Sequence, residues 1–281
     1  MKKLHATSEP SVQTPGMNQL PPKPFRRSTF VIRLTLLLLG MTTVYGLYTL
    51  DTGDVAFGEA LRQMLLNFKL MLTEPHFRHF TWGDALQAVL VTIGLALLTT
   101  LIGAAIALFF GLLAARNLTN GAVSYWIKSA VAFIRAVPTV LWVLIFAVSA
   151  GLGSVAAVIG MTFHSVGYLI KAYSESFEEM DEGVIEALKG SGASWWQIVF
   201  QAVLPSSMAY LISWTFIRFE INFAAALAMG AAAGAGGIGF DMYMAGNFYL
   251  DLREVGTITY FILIFAVVLE MCATRWKVRI R

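Results

Sequence analysis

Polar and ionisable side chains interrupt the long apolar stretches of this sequence at a few points. Arg218, Glu220 and Asn222 lie in one stretch, and His164 lies in another. Ionisable groups inside a membrane are costly, so they usually face protein or water and mark ion pairs or solute paths. A cationic Arg218 and a polar His164 suit an anion that passes through, and Arg135, Glu220 and Asn222 are further candidates for that path. The alternative is that these residues have structural roles. Arg218 would then form an ion pair with Glu220 of a second copy of the chain, or His164 would be bonded to a backbone carbonyl.

An intramembrane enzyme is the main alternative of a different class. Such an enzyme needs a clustered catalytic set within its spans, for example Ser with His or two Asp residues. Ser165 follows His164 directly, but adjacent residues on a helix do not face each other. The single Cys272 excludes an intramolecular disulfide and any multi-cysteine metal site. The sequence therefore disfavours an intramembrane enzyme.

The polar connection of residues 173–204 ends in an apolar stretch that carries two tryptophans, which predicts a folded element. Acidic residues from Asp181 onward suit the start of a helix. Gly192 stands where a C-terminal cap with positive φ is wanted. Ser194, with Gln three residues later, predicts a capping box for a second helix. Pro205 then stops that helix or begins the next one, so the connection is predicted to be a helix–turn–helix hairpin.

This hairpin resembles the EAA loop of ABC-importer permeases. The family pattern is Glu-Ala-Ala, three residues, Gly, nine residues, Ile, one residue and Leu-Pro, and the residues on that spacing are Glu186, Ala187, Gly192, Leu204 and Pro205. Leu188 and Ala202 depart from the pattern, but both are apolar and leave the hairpin intact. The resemblance implies that this loop couples the chain to an ATPase. Trp195 or Trp196 is then the apolar anchor in the ATPase groove, or else packs against the membrane helices. A receptor or scaffold would not require this motif.

Several further stretches resemble the phosphonate-importer permeases, and together the resemblance covers roughly residue 85 to the C-terminus. They are residues 113–118, 133–142, 218–222 and 234–239. Methionine-importer permeases share a similar Gly-rich stretch and an Arg-x-x-Pro in the third span. Residues 116–118 and 218–222 favour the phosphonate type, while methionine or another small solute is the alternative substrate.

The resemblance implies an all-α integral membrane protein with six transmembrane helices, the fold of a type I importer permease. It also implies a translocation path that works by alternating access in a bacterial plasma (inner) membrane. The implied partners are a second copy of the chain, two ATPase subunits and an extracytoplasmic substrate-binding protein. The sequence has no Gly-Lys-Ser/Thr phosphate-binding loop, so ATP and Mg are expected at the partner ATPase. No cofactor, metal site or nucleic-acid partner is expected of this chain itself.

Composition agrees with a membrane protein. Of 281 residues, 57% are hydrophobic and 13% charged, whereas soluble domains carry about 25% charged residues. This excludes most soluble enzymes and nucleic-acid binders. A spanning helix needs roughly 20 mainly apolar residues, and the stretches that qualify are 30–50, 85–115, 122–150, 154–172, 206–229 and 255–273. Pro138 is predicted to kink or divide the third of them.

The remaining segments flank these spans. Residues 1–28 are rich in proline and polar residues, which predicts a disordered cytoplasmic tail. Residues 51–84 are predicted to be an extracytoplasmic loop whose amphipathic part, 55–72, lies at the membrane interface or packs on loops. Residues 85–273 form the permease core, and residues 274–281 form a basic tail.

The distribution of Lys and Arg predicts that both termini are cytoplasmic. With the N-terminus inside, 15 of the 20 basic residues are assigned to the cytoplasmic side or to the cytoplasmic ends of the spans, and Arg218 falls deep within a span. Those on the outer side are Arg62, Lys69, Arg78 and Arg253. Because basic residues concentrate on the cytoplasmic side of membrane proteins, the opposite orientation is disfavoured.

A Gly- and Ala-rich stretch follows the fifth span. Its glycines include Gly234, Gly236, Gly237 and Gly239. Glycine allows close helix approach or an irregular backbone, which at membrane depth is tolerated only where it is buried in protein or lines a cavity. The stretch is therefore either a gate or a site of tight packing.

Overall fold

The computed structural model describes residues 27–49 and 56–280, with side chains through Arg275. Every regular element in these residues is helical, which confirms the all-α prediction. The chain divides into a unit of residues 1–60 and a unit of residues 61–281. The predicted tail lies outside the described residues except for Arg27 and Ser28, which already belong to the first helix.

The described residues form eleven α-helices, most of them in the second unit. In chain order the helices of the chain are α1 (Arg27–Thr49), α2 (Phe57–Thr73), α3 (Trp82–Ala114), α4 (Gly121–Ala136), α5 (Thr139–Ala150), α6 (Ser154–Glu178), α7 (Glu182–Gly190), α8 (Trp195–Ile198), α9 (Leu204–Ala233), α10 (Ile238–Tyr243) and α11 (Leu252–Ile280). Two π-helical turns, Val199–Val203 and Met244–Phe248, precede α9 and follow α10.

Five of the described helices or helical runs are long and apolar enough to cross a membrane, and a sixth span results if α4 and α5 are taken together. Those two helices meet at a bend of 90° at Pro138. Proline lacks the N–H that would continue α4, and its ring clashes with the preceding turn. The predicted division of the third span is therefore confirmed.

The structure extends several spans beyond their apolar segments. Helix α6 continues to Glu178, six residues past the predicted end at Ala172. The helical run of the fifth span begins at Trp195 rather than at Ser206. Helix α11 continues to Ile280, so the predicted tail at 274–281 is largely helical. Hydropathy marks only the apolar part of a helix, whereas these extensions are amphipathic or polar.

Small residues bring α3, α5, α6 and α9 close together. A β-carbon on Gly103 of α3 would lie 2.9 Å from the Cβ of Ser165 in α6. One on Gly160 of α6 would lie 2.6 Å from the Cα of Val143 in α5. Small residues permit this approach because no side chain separates the helices. As a result, polar side chains from three helices meet inside the bundle.

The Gly-rich stretch ends α9 and turns the chain into α10. Gly234 and Gly236 have φ of 63° and 81°, and a β-carbon on either would meet nothing within 4 Å. Gly237 instead lies against Thr92, and Gly239 lies against the backbone of Leu227, where a β-carbon would clash. Gly237 also has a positive φ, of 75°. The first three glycines thus allow an irregular backbone, and the last two allow tight packing, while a gating role remains a prediction.

Candidate functional site

The hairpin around Gly192 is stabilised by local hydrogen bonds at both of its helix ends. Asp181 caps α7 by accepting from the N–H of Gly183. At the other end, the N–H of Ala193 donates to the carbonyl of Leu188, and the N–H of Gly192 donates to that of Lys189, both at 3.0 Å. These two bonds form a Schellman motif, whose turn residue adopts positive φ. Gly192 has φ of 86°, as its type and position predict.

The second arm of the hairpin begins at Ser194 and runs into the membrane helix. The Ser194 hydroxyl accepts from the N–H of Gln197, whose side-chain oxygen accepts in return from the N–H of Ser194, so the predicted capping box is present. The π-helical turn Val199–Val203 then joins α8 to α9, with Pro205 at the first positions of α9. Such a turn accommodates the backbone where Pro205 offers no N–H. The second arm of the hairpin is therefore continuous with the membrane helix α9.

The inner face of the hairpin packs on the ends of the membrane helices. Ile185 and Ile198 are buried with Phe177 and Leu112 in one hydrophobic cluster. The indole N–H of Trp195 donates to the carbonyl of Leu118, at 2.9 Å. Trp195, which is half-buried, therefore attaches the hairpin to its own chain.

The carboxylate of Glu178 connects the segments beneath the hairpin. It accepts from the backbone N–H of Arg116 at 2.7 Å and from the Lys128 ammonium at 2.6 Å. The side chain of Asn117 donates to the carbonyl of Phe177, at 2.8 Å. The two bonds to the Glu178 carboxylate are charge-assisted, and such bonds are short and comparatively strong. The ends of α3 and α6 and the middle of α4 are thus tied together under the hairpin.

The outer face of the hairpin is exposed. Glu186, Ala187 and Pro205 are exposed, and Leu204 is half-buried. Trp196 is 55% exposed and stacks with Phe200, at 5.9 Å between ring centroids. An exposed aromatic pair offers a surface that a partner protein would bind, and Trp196 is more exposed than the half-buried Trp195.

A buried polar cluster lies between α3, α6 and α9. The Arg218 side chain is 1% exposed. Its Nε donates to the Ser165 hydroxyl at 3.0 Å, and its Nη2 lies 3.2 Å from His164 Nδ1. The guanidinium also lies over the ring of Tyr168, 5.3 Å from its centroid. A hydroxyl, an imidazole and an aromatic ring thus surround a buried cation, and none of these three groups is a carboxylate.

Asn222 extends this cluster by one turn of α9. Its Nδ2 donates to Thr100 Oγ1 at 2.8 Å and to Ser165 Oγ at 3.0 Å. Asn222, Ser165 and Thr100 are each at most 1% exposed. Because unpaired polar groups are expensive at such depth, this network holds the three helices in one register.

The other predicted path residues are Arg135 and Glu220. Arg135 is exposed in the last turn of α4 and lines a cavity of about 180 Å³ together with Lys128 and Lys171. Glu220 is half-buried on α9, and it follows Arg218 by two positions, so it points to another side of the helix. The roles of all these residues, and of the hairpin residues, remain predictions.

Sequence reasoning missed Thr100, Ser165 and Tyr168 as members of the cluster. Ser165 and His164 do not face each other, yet the long guanidinium of Arg218 reaches both. Their bonds are to Arg218 rather than to each other, so they do not form a nucleophile–base pair. The available signal was a small polar residue next to His164 in an apolar helix.

Comparison with known proteins identifies the class of molecule in which these features occur. The family model for the inner membrane component of binding-protein-dependent transport systems matches residues 107–280. The chain belongs to this family. The family consists of membrane components of transport systems rather than enzymes, which agrees with the prediction from the sequence.

Curated relatives include permeases with different substrates. The phosphate-import permease protein PhnE of Mycolicibacterium smegmatis is 31% identical over 66% of this chain and 35% of its own length. The phosphite transport system permease protein PtxC of Stutzerimonas stutzeri is 30% identical over 63% of this chain and 64% of its own. The chain therefore spans less than two thirds of either relative. The methionine import system permease protein MetP of Bacillus subtilis is 30% identical over 53% of this chain.

Solved structures share the fold. The membrane chain of an inward-facing MetNI methionine ABC transporter superposes with a TM-score of 0.65 at 21% identity, covering 73% of this chain and all of that one. A chain of a bacterial ABC transporter that imports alginate gives 0.61 at 13% identity, over 90% of this chain. At these identities the likeness shows the fold, that of ABC-importer permeases.

Proposed function

We propose that this chain is the membrane-spanning permease subunit of an ATP-driven importer for a small oxyanion of the phosphonate, phosphite or phosphate type. It forms the translocation path together with a second copy of itself. Two ATPase subunits, which bind ATP and Mg, drive alternating access, and an extracytoplasmic binding protein delivers the substrate. Both termini lie in the cytoplasm of a bacterial cell.

The main support for this proposal is the geometry of the hairpin. A coupling element must be rigid, must be attached to the membrane helices and must present a surface to the ATPase. The Asp181–Leu204 segment has capped ends, is attached through Trp195 and buried isoleucines, and leaves Glu186 and Trp196 exposed. The hairpin thus has each property that ATPase coupling requires.

The proposed substrate class rests on two further observations. Two of the relatives are named for phosphate and phosphite, and a buried guanidinium, Arg218, lies among the membrane helices. Arginine is suited to oxyanions because its planar fork matches their geometry. In the described conformation Arg218 is covered, so it would reach an anion only when the helices rearrange during the transport cycle.

The test is transport by the reassembled complex. The chain is co-expressed with the ATPase and binding protein encoded in neighbouring reading frames and reconstituted in liposomes. We expect ATP-dependent uptake of phosphite, methylphosphonate or phosphate, and stimulation of ATP hydrolysis by the loaded binding protein. Uptake of methionine alone would overturn the substrate class while leaving the importer role intact. Failure of the chain to co-purify with any ATPase would overturn the importer role itself.

A further inference from the structure

The loop between α2 and α3 meets the start of α11 at one end of the bundle, and each segment brings two metal-ligating side chains. The loop carries His76 and His79, three residues apart. The start of α11 carries Asp251 and Glu254, also three residues apart. The nitrogen or oxygen ligand atoms of His79, Asp251 and Glu254 all lie within 4.8 Å of one another.

One oxygen of each carboxylate has a structural role. Glu254 Oε1 accepts from the backbone N–H groups of Arg78, His79 and Phe80, at 2.9, 2.8 and 3.1 Å. Asp251 Oδ1 accepts from the N–H groups of Arg253 and Glu254, at 3.1 and 3.2 Å, and so caps α11. These bonds hold the loop and the helix end in place.

The second oxygen of each carboxylate faces an imidazole. Glu254 Oε2 lies 2.8 Å from His79 Nδ1, and Asp251 Oδ2 lies 3.8 Å from His76 Nε2. The ring of His79 stacks on Tyr249 at 4.0 Å between centroids, which fixes its orientation. Glu254 is wholly buried, so the positions of its two oxygens are determined by the fold.

We propose that His76, His79, Asp251 and Glu254 form a binding site for a divalent first-row transition-metal ion, with Zn²⁺ as its best match. Zn²⁺ takes imidazole nitrogens and carboxylate oxygens at about 2 Å, usually four of them. An ion between His79 Nδ1 and Glu254 Oε2 replaces the proton that they share. Asp251 supplies the third ligand, and His76, whose Nε2 lies 3.8 Å from Asp251 Oδ2, is the candidate for the fourth. Mg²⁺ and Ca²⁺ prefer sites built from oxygen alone.

A bound ion would fasten the α2–α3 loop to α11. The two segments already share an ion pair of Arg253 with Glu74 at 2.8 Å and a bond from the Thr257 hydroxyl to the carbonyl of His76 at 2.9 Å. A metal that binds the folded protein but not the unfolded chain stabilises it by mass action. The site is independent of the transported substrate.

Zinc titration of the full-length chain tests this proposal. The protein is purified without a histidine tag in detergent, with His5 replaced by Ala throughout, and titrated calorimetrically with Zn²⁺. We expect one ion per chain and a higher Tm with Zn²⁺ but not with Mg²⁺. His79→Ala and Asp251→Asn should each weaken binding by about tenfold or more, on the scale seen when metal sites are perturbed. Asp251→Asn retains a capping side chain for α11.

Glu74→Gln is the matched control, because it breaks the nearby ion pair without removing a ligand. It should bind Zn²⁺ as the parent does. Failure of the parent to bind one Zn²⁺ per chain would overturn the proposal, as would unchanged binding in both His79→Ala and Asp251→Asn. Equal loss of binding in Glu74→Gln would also overturn it, since the effect would then reflect the packing of the loop. If His79→Ala does not fold, His76→Ala takes its place. Unchanged Zn²⁺ binding in both Asp251→Asn and His76→Ala would then overturn the proposal.

Discussion

The charge of Arg218 and its hydrogen bonds can be tested separately. Its guanidinium is covered on all sides, and two of its donors face Ser165 and His164. A purely structural role predicts that any loss of these bonds lowers stability. A role in transport predicts that loss of the charge lowers uptake even where the protein remains folded.

We therefore expect Arg218→Ala to lower oxyanion uptake by tenfold or more, about 1.4 kcal/mol or more of lost stabilisation, because it removes the cation. Ser165→Ala keeps the cation and removes the hydroxyl that accepts from both Arg218 and Asn222, so it should lower stability by about 1–3 kcal/mol with most uptake retained. Uptake in proteoliposomes and Tm in detergent are measured for both, and the affinity of the binding protein is the control. Normal uptake by Arg218→Ala at equal abundance would leave only the structural role.

Gly192 offers a second test at the residue scale. Its φ of 86° strains any L side chain, while a β-carbon there would meet nothing within 4 Å. Gly192→Val should therefore act through the backbone alone, costing of order 1–2 kcal/mol for the left-handed conformation, and should uncouple or release the ATPase. Gly192→Asn is the matched control, because Asn tolerates this conformation better. Full substrate-stimulated ATPase activity in Gly192→Val would contradict the coupling role.

The features of the hairpin that were predictable from the sequence are local ones. The cap at Asp181, the turn at Gly192 and the capping box at Ser194 each depend on residues within a few positions, so their types and spacing suffice. The partners of Arg218 come from helices that are distant in sequence, and no local pattern pairs it with Thr100 or Ser165. No local pattern brings together the two histidines of the α2–α3 loop and the two carboxylates at the start of α11 either, because they lie in separate segments.

At the scale of the hairpin, the two adjacent tryptophans should behave differently. Trp195 is bonded inward to Leu118, whereas Trp196 is exposed. Trp195→Phe removes the N–H donor and should lower stability by about 1 kcal/mol. Trp196→Ala should leave the Tm almost unchanged and reduce co-purification of the ATPase. The opposite pattern, with ATPase lost only in Trp195→Phe, would mean that the partner does not bind the exposed face.

Helix lengths show where sequence reasoning succeeds and fails at the element scale. Pro138 divides its span as predicted because the effect is built into the proline ring. The extension of α6 to Glu178 was not predicted, and neither was the continuity of the predicted helix after Ser194 with the fifth span. They are stabilised by burial of Phe177, Val199 and Ile198 against one another, and burial depends on tertiary packing that hydropathy does not report.

For the whole molecule, the orientation of the chain across the membrane can be tested directly. The distribution of Lys and Arg predicts that the hairpin lies inside the cell and the α10–α11 turn outside. In a Cys272→Ser background, Ser191→Cys and Thr119→Cys should react only with a reagent that enters the cell. Asn247→Cys should react with an impermeant reagent in intact cells. Labelling of Ser191→Cys by the impermeant reagent would reverse the assignment.

The attachment of Glu254 to the α2–α3 loop also has a consequence for biogenesis. The three backbone N–H groups that it satisfies lie 174 to 176 positions earlier in the chain. A ribosome makes those amides first and must complete four further membrane segments before their acceptor emerges. Until then these three amides lack their carboxylate acceptor, so the last helix completes one end of the bundle. A product that terminates before residue 254 would leave this loop unanchored and should be an early target for membrane proteases.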